Sequence, residues 1–348
     1  MTDEIYMSRA LELAKIGIGQ VSPNPMVGCV IVHEGLIIGE GWHQKYGKAH
    51  AEVNAINSVK NRKLLSGATA YVSLEPCSHH GKTPPCADLL IKEKIGKVVI
   101  CNPDPYPSVN GRGIRKLKEA GIEVLTGVLS EEGERLNKRF FTVQEKKRPY
   151  VILKWAESAD GFVALNNNQP AKISGSYAQM HSHKLRAEED AILVGSQTVI
   201  NDNPSLSTRN WSGKNPVRVL LFPEFKSDIS LNILDHSVKT IVFSLSDHVS
   251  KNNIEFIKLV EKLPVIGQML DALSERSIQS LVVEGGARLH KLFIESNSYD
   301  EIRMFKSKKL VLGSGISAVQ MPLNLTEIQN LDLKTDYLRI FSKQFQPN

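Results

Sequence analysis

Three residues far apart in the chain impose the strongest condition on how it can fold. His50 and Glu52 lie in "HAEVNA" (50–55), while Cys77 and Cys86 lie in "LEPCSHHGKTPPC" (74–86). A catalytic zinc takes three protein ligands from imidazole, thiolate or carboxylate groups and keeps a fourth position for water. His50, Cys77 and Cys86 supply one imidazole and two thiols, so three separate segments must meet at one point. Proline precedes each cysteine: Pro76 before Cys77, and Pro84 and Pro85 before Cys86. Proline favours helix starts, which places Cys86 at the N-terminus of the next helix. There its thiol is expected to ionise more easily.

Residues i and i+2 of a helix point to different faces. His50 and Glu52 can address one metal only if His50 sits where a loop enters the helix, and "YGKAH" before the helical pattern permits that. Glu52 is then not required as a ligand. It is placed to carry protons between a metal-activated water, whose pKa falls to about 7 on zinc, and a substrate nitrogen. A His-x-Glu followed by Pro-Cys and a second cysteine resembles the signature of zinc nucleobase deaminases. The cysteines here are separated by eight residues rather than two. A structural zinc would need a fourth ligand, which His79 or His80 could provide; otherwise these two shape the substrate entrance. Cys29 and Cys101 fall in strand patterns and are read as core residues.

Composition sets the outer limits. The 348 residues are 41% hydrophobic and 23% charged, as in a globular protein. No apolar run approaches the length that spans a bilayer. The amphipathic, acidic opening "MTDEIYMSRALELAKIGIG" is unlike a secretory signal, so export is not expected. Four cysteines are too few for a disulfide scaffold, and a reducing cytoplasm is the expected compartment. The net charge of 43 − 37 = +6 is diffuse. "KKR" (146–148) and "KSKK" (306–309) lack interleaved aromatics, so a nucleic-acid partner is not expected.

The pattern divides at "EKKRPY" (145–150), a charged segment ending near Pro149, giving domains over 1–146 and 149–348. Before it come a helix at Met7–Ala14, strands 27–32 and 36–43 joined by a glycine turn, and a helix at 51–59. Strand–helix pairs then follow up to a strand at 122–128 and a single helical stretch over "SEEGERLNKRFFTVQ". This is a mixed sheet covered by helices. After it come strands at 150–156, 190–199, 217–222 and 240–245, a helix at 176–189, and a strand–glycine turn–helix in "SLVVEGGARLHKLFIES" (280–296). No Gly-x-Gly-x-x-Gly follows a strand. The turn "VVEGGARLHKL" instead offers close backbone approach and a helix N-terminus that attracts phosphate.

With "SHHGKTPP", "SPNPMVGCVIV", "GEGWHQKYGKAHAE" and "NPDPYPSVNGRG", the chain resembles the bifunctional riboflavin-biosynthesis family over nearly its whole length. That family joins a diaminohydroxyphosphoribosylaminopyrimidine deaminase to a 5-amino-6-(5-phosphoribosylamino)uracil reductase. The resemblance implies an α/β protein: a cytidine-deaminase-like mixed-sheet domain followed by a dihydrofolate-reductase-like domain. It implies Zn2+ at His50, Cys77 and Cys86, with Glu52 giving and taking protons as the 2-amino group leaves as ammonia. Asn24, His43 and Lys82 are implied substrate contacts. In the second domain it implies NADPH, with Thr198, Asp202 and Gly286 at the cofactor. Arg186, Leu206 and Arg209 would lie at the phosphoribosyl substrate, Glu284 would orient that substrate, and Lys154 would sit near hydride transfer. Lys172 stands where the family commonly has Trp, and Ala159 replaces Leu in its Ser-Leu-Asp-Gly turn. A homo-oligomer is expected. Two other readings remain: a deaminase whose second domain serves only binding or assembly, and a zinc-stabilised nucleic-acid-binding module.

Overall fold

The computed structural model describes residues 2–78, 84–106, 109–166, 172–226 and 230–343. The chain divides into two compact units, Met1–Lys147 and Arg148–Asn348. The division falls inside the charged segment expected to link them. Glu145 and Lys146 still belong to a helix, and the chain leaves it through Lys147 at φ +55°.

In the first unit, α1 (Asp3–Lys15) precedes the hairpin β1 (Gly28–His33) and β2 (Leu36–Trp42). Glu34 and Gly35, both at positive φ, make its two-residue turn, the geometry that matches strand twist. Then follow α2 (Ala51–Ser58), β3 (Thr69–Leu74), α3 (Cys86–Lys92), β4 (Lys97–Asn102), α4 (Arg112–Glu119), β5 (Glu123–Thr126), α5 (Ser130–Leu136) and α6 (Lys138–Lys146). Among the described residues the strand order is β2-β1-β3-β4-β5. β1 runs antiparallel to β2 and β3, and β3, β4 and β5 run parallel. Alternate strand residues face opposite sides. Val30, Tyr71 and Val99 pack on Met7 and Ala10 of α1. Ile31, Val72 and Ile100 pack on Ala55, Leu90 and Leu117 of the helices opposite. The single helix expected over 130–144 is two helices. Asn137 breaks it, because its buried amide bonds both the N–H and the carbonyl of Met26, at 2.8 and 2.9 Å.

The second unit runs β6 (Tyr150–Glu157), β7 (Phe162–Ala164), α7 (Ser176–Glu188), β8 (Ala191–Gly195), α8 (Ser196–Asp202), β9 (Val217–Leu221), β10 (Thr240–Ser244) and β11 (Ile254–Lys258). It continues with α9 (Val265–Glu275), β12 (Ser280–Val283), α10 (Ala287–Glu295), β13 (Glu301–Ser307), β14 (Ile316–Ser317), β15 (Leu325–Asp332) and β16 (Asp336–Lys343). Among the described residues the main sheet has the order β11-β10-β9-β8-β12-β6-β13-β16-β15, and β7 pairs with β14. The strands from β11 to β13 are parallel; β16 and β15 close one edge antiparallel. Val151, Leu153 and Leu193 face Met269, Leu273 and Phe293 on one side. Ile152, Ile192 and Val282 face Leu185 and Val199 on the other. The strand expected over 190–199 ends at Gly195, where α8 begins. In parallel sheets ligands collect beyond the carboxyl ends of the strands, and the residues of interest in both units lie there.

Candidate active sites

The metal set assembles at three element boundaries in the first unit. His50 is the N-cap of α2, with extended φ −73° and ψ 167°. Cys77 follows β3, and Cys86 is the first residue of α3. Their ligand atoms all lie within 4.8 Å of one another. His50 Nδ1 is 3.6 Å from Cys77 Sγ and 3.3 Å from Cys86 Sγ. One imidazole and two sulfurs converging on one point fit a zinc ion.

Gly41 sets how closely α2 rides on β2. A Cβ there would lie 2.2 Å from Ala55 N and 2.7 Å from Ala51 O. This close approach carries Glu52, 3% exposed, into the interior beside the two cysteines. Burial, reinforced by Cys77, pushes the Glu52 carboxyl up to about 7. A carboxyl of that kind both gives and accepts a proton near neutrality.

The expected easing of the Cys86 thiol by its helix start is not found. The Cys86 N–H points at Cys77 Sγ, 3.3 Å away. The hydrogen bond from Cys86 holds the Cys77 thiol low, and the same bond, burial and Glu52 hold Cys86 high. Two neighbouring thiols share one negative charge until a cation offsets the second.

His43 and Asn24 lie beside this triad. The His43 ring centroid is 5.5 Å from that of His50. His43 Nδ1 lies 3.0 Å from Ala49 O, which puts the ring proton there and leaves Nε2 to accept from Asn24 Nδ2 at 3.1 Å. Burial holds His43 below the ordinary imidazole range, keeping it neutral. Lys82, His79 and His80 lie outside the described residues. Cys29 and Cys101 are fully buried in the core.

In the second unit, Lys154, Arg186 and Glu284 converge. Register pairs Leu153 with Val283, so Lys154, in the middle of β6, stands next to Glu284, just past the carboxyl end of β12. Arg186 grips Glu284 with two bonds, Nε to Oε1 at 3.2 Å and a terminal nitrogen to Oε2 at 2.8 Å. Lys154 Nζ is 3.8 Å from the same carboxylate. Burial alone would raise Glu284, but Arg186 and Lys154 outweigh it and hold it down at about 2. Burial lowers Lys154 from the ordinary lysine range.

Arg186 also donates to Ser207 O at 3.3 Å, and Arg209 lies 3.4 Å from Ser207 Oγ and 3.3 Å from Ser205 Oγ. Thus both arginines meet on the 205–209 loop. The Arg209 N–H donates to His183 Nδ1 at 3.3 Å. His183 sits one turn before Arg186 on α7, and that i, i+3 spacing is the sequence signal for it. Leu206 differs from expectation. Its side chain is buried in the core with Ile152 and Val282, and its φ of +49° turns the loop, so only its backbone remains to address a ligand.

Thr198 and Gly286 come together: a Cβ on Gly286 would lie 3.6 Å from Thr198 Oγ1. Gly286 caps α10 without a side-chain bond, leaving the helix N–H groups free of a side-chain cap. Asp202 lies one turn beyond Thr198 on α8, and burial raises its carboxyl. Two helix starts flanked by a glycine without a clashing neighbour fit the phosphates of a dinucleotide. At the Ser158–Gly161 turn, Ser158 Oγ donates to Asp160 at 2.6 Å and the Ala159 N–H donates to Leu310 O at 2.7 Å. The side chain at 159 takes no part in these bonds. Lys172 is exposed.

Comparison with known proteins shows the family of the chain. Residues 1–102 match the cytidine and deoxycytidylate deaminase zinc-binding region, and residues 149–339 match the RibD C-terminal domain. The chain is 40% identical to the riboflavin biosynthesis protein RibD of Actinobacillus pleuropneumoniae, covering 98% of this chain and 96% of that one. It is 37% identical to RibD of Escherichia coli, over 90% and 89% of the two chains. Among solved structures it resembles the diaminohydroxyphosphoribosylaminopyrimidine deaminase/5-amino-6-(5-phosphoribosylamino)uracil reductase of Thermotoga maritima. There the TM-score is 0.90 at 37% identity, covering 98% of each chain. Acinetobacter baumannii RibD gives a TM-score of 0.89 at 32% identity, again over 98% of each chain. The architecture is therefore a cytidine-deaminase-like unit followed by a RibD reductase unit, and the chain belongs to the RibD family of riboflavin biosynthesis proteins.

Proposed function

We propose that residues 1–146 form a zinc-dependent deaminase and residues 149–348 an NADPH-dependent reductase, acting in turn on one phosphoribosylated pyrimidine in riboflavin biosynthesis. The first reaction replaces the 2-amino group of 2,5-diamino-6-(5-phosphoribosylamino)pyrimidin-4-one by oxygen from water and releases ammonia. The second reduces the ribosyl group to ribityl. The observation that carries the reading is the convergence of His50, Cys77 and Cys86 within 4.8 Å, with buried Glu52 beside them.

Zinc, when bound by His50, Cys77 and Cys86, supplies the Lewis acidity that makes water a nucleophile near neutral pH. Glu52 takes the proton released by water on its carboxylate and returns one to the departing nitrogen. Neutral His43 and the Asn24 amide hydrogen-bonded to it hold the pyrimidine, with Lys82 for its phosphate. In the reductase, NADPH supplies the hydride. Gly286 at the start of α10, with Thr198 in the first turn and Asp202 at the end of α8, would hold it. Arg186, Arg209 and the backbone at Leu206 would bind the phosphoribosyl group. Glu284 would orient the sugar, and the ammonium of Lys154, 3.8 Å from Glu284, would deliver a proton to its oxygen.

Among the described residues no helix is long and apolar enough to cross a membrane. We read the chain as a cytoplasmic homo-oligomer with no nucleic-acid or membrane partner; the four free thiols support the compartment and the diffuse charge the absence of a nucleic-acid partner.

The test is incubation of the full chain with the diaminopyrimidinone, with and without NADPH, following ammonia and cofactor absorbance separately. Ammonia is expected in both cases, and cofactor oxidation only after deamination. No ammonia from zinc-loaded protein overturns the deaminase. Ammonia without cofactor oxidation leaves a second unit that serves binding or assembly.

A further inference from the structure

A second buried carboxylate stands beside the metal triad, and the reaction does not use it. Glu75, 4% exposed, lies two residues before Cys77. Its Oε2 accepts the N–H groups of Asp104 and Gly111 at 3.2 and 3.0 Å. Its Oε1 accepts those of Gly113 and Ile114 at 2.9 and 3.2 Å. The donors belong to the chain after β4 and the first turn of α4. The Glu75 N–H in turn donates to Asn102 O at 3.0 Å.

Gly113 is pressed against the peptide next to the ligand: a Cβ there would lie 2.0 Å from Pro76 O. On its other side, Cys77 O accepts the Ala87 N–H at 3.1 Å and Cys77 Sγ faces the Cys86 N–H at 3.3 Å. Cys77 is thus gripped from α4 through Glu75 and Pro76, and from α3 directly.

We infer that Glu75 and Gly113 are positioning residues for the metal triad, holding the Pro76–Cys77 peptide where the Cys77 sulfur meets His50 and Cys86. The inference rests on reading those three as zinc ligands. A carboxylate is needed at 75 because it has two acceptor oxygens for four donors. Glutamine would turn its NH2 group toward two N–H groups. Glycine is needed at 113 because any side chain would push α4 away from Pro76.

The test uses the full chain and the variants Glu75→Gln, Gly113→Ala and Lys118→Ala. Lys118→Ala is the control: Lys118 lies on the same helix, α4, with an exposed side chain. Zinc affinity is measured by chelator competition, the triad geometry by the absorption of the cobalt(II)-substituted protein, and deamination by kcat and KM. Circular dichroism and the urea midpoint of the first unit report that each variant is folded. Glu75→Gln and Gly113→Ala are expected to bind zinc at least tenfold more weakly. Their cobalt bands should shift, and kcat should fall more than KM rises, while Lys118→Ala keeps wild-type zinc affinity. Wild-type affinity and cobalt bands in Glu75→Gln and Gly113→Ala, or an equal loss in Lys118→Ala, overturn the inference. If Gly113→Ala does not fold, Glu75→Gln decides alone. If Cys77→Ser retains stoichiometric zinc, the ligand reading itself fails, and the inference with it.

Discussion

Arg186 holds Glu284 through two hydrogen bonds, 3.2 and 2.8 Å long, with side chains only 12% and 8% exposed. A pair this deep differs from a surface ion pair, because removing Arg186 leaves the buried Glu284 carboxylate without its two hydrogen bonds and with only Lys154, 3.8 Å away, to offset its charge. Arg186→Ala should therefore destabilise the second unit by about 3–5 kcal/mol. Urea unfolding of that unit checks it. In the same variant reductase kcat/KM should fall while ammonia release is unchanged.

Glu52 lies buried beside the proposed metal ligands His50, Cys77 and Cys86. Glu52→Gln keeps the shape and the site but removes the proton carrier. Deamination should fall by about 10²–10⁴-fold, the usual worth of a positioned acid–base group, with zinc still stoichiometric by elemental analysis. Normal ammonia release from this variant would remove Glu52 from the proton-carrying role.

Cys77 is the opposite case. Cys77→Ser replaces a soft thiolate by a weak hydroxyl ligand, so the protein should purify with little zinc and without deaminase activity. Reductase turnover on the deaminated substrate should persist.

Gly41 lets α2 lie against β2, with no room for a Cβ 2.2 Å from Ala55 N. Gly41→Ala should force helix and strand apart at a cost of about 1–3 kcal/mol or more. Because His50 and Glu52 ride on α2, zinc affinity should fall together with the unfolding midpoint. Wild-type values of both would show that the contact relaxes freely.

His290 is buried against Trp155, its Nε2 3.0 Å from Val283 O. Burial holds its imidazole down to about 4, against an ordinary 6.5. Between those values the unfolded chain binds a proton that the folded chain excludes, so stability drops as pH falls from 6.5 toward 4. The full loss is about 3 kcal/mol. Glu284, held at about 2 against 4.5, adds a further loss as pH falls through that lower window. Urea midpoints measured from pH 7 to pH 4 should show the first loss in the native chain and a flatter profile in His290→Gln.

The local features were legible because their physics is local. Strand alternation, the Glu34–Gly35 turn, the helix start at Cys86 and the place of His50 at the head of α2 follow from neighbours in the chain. The metal chemistry was legible from residue types and their order, His-x-Glu at 50–52 followed by Pro-Cys at 76–77 and Cys86. The break at Asn137 was not legible, since it depends on Met26, 111 positions away. Nor was the turn of Leu206 into the core, which depends on packing with distant strands, among them those of Ile152 and Val282.

By itself the sequence determined which residues are chemically able to hold zinc, carry a proton or pair with phosphate, because those capacities belong to the side chain and its near neighbours. Only the tertiary structure decided how charge is shared among them. Cys77 and Cys86 share one negative charge, Glu52 keeps its proton up to about 7, and Glu284 keeps its charge in a buried site. Those outcomes depend on burial and on charges a few ångströms away in space, and distance in space is set only when the sheets and helices have packed.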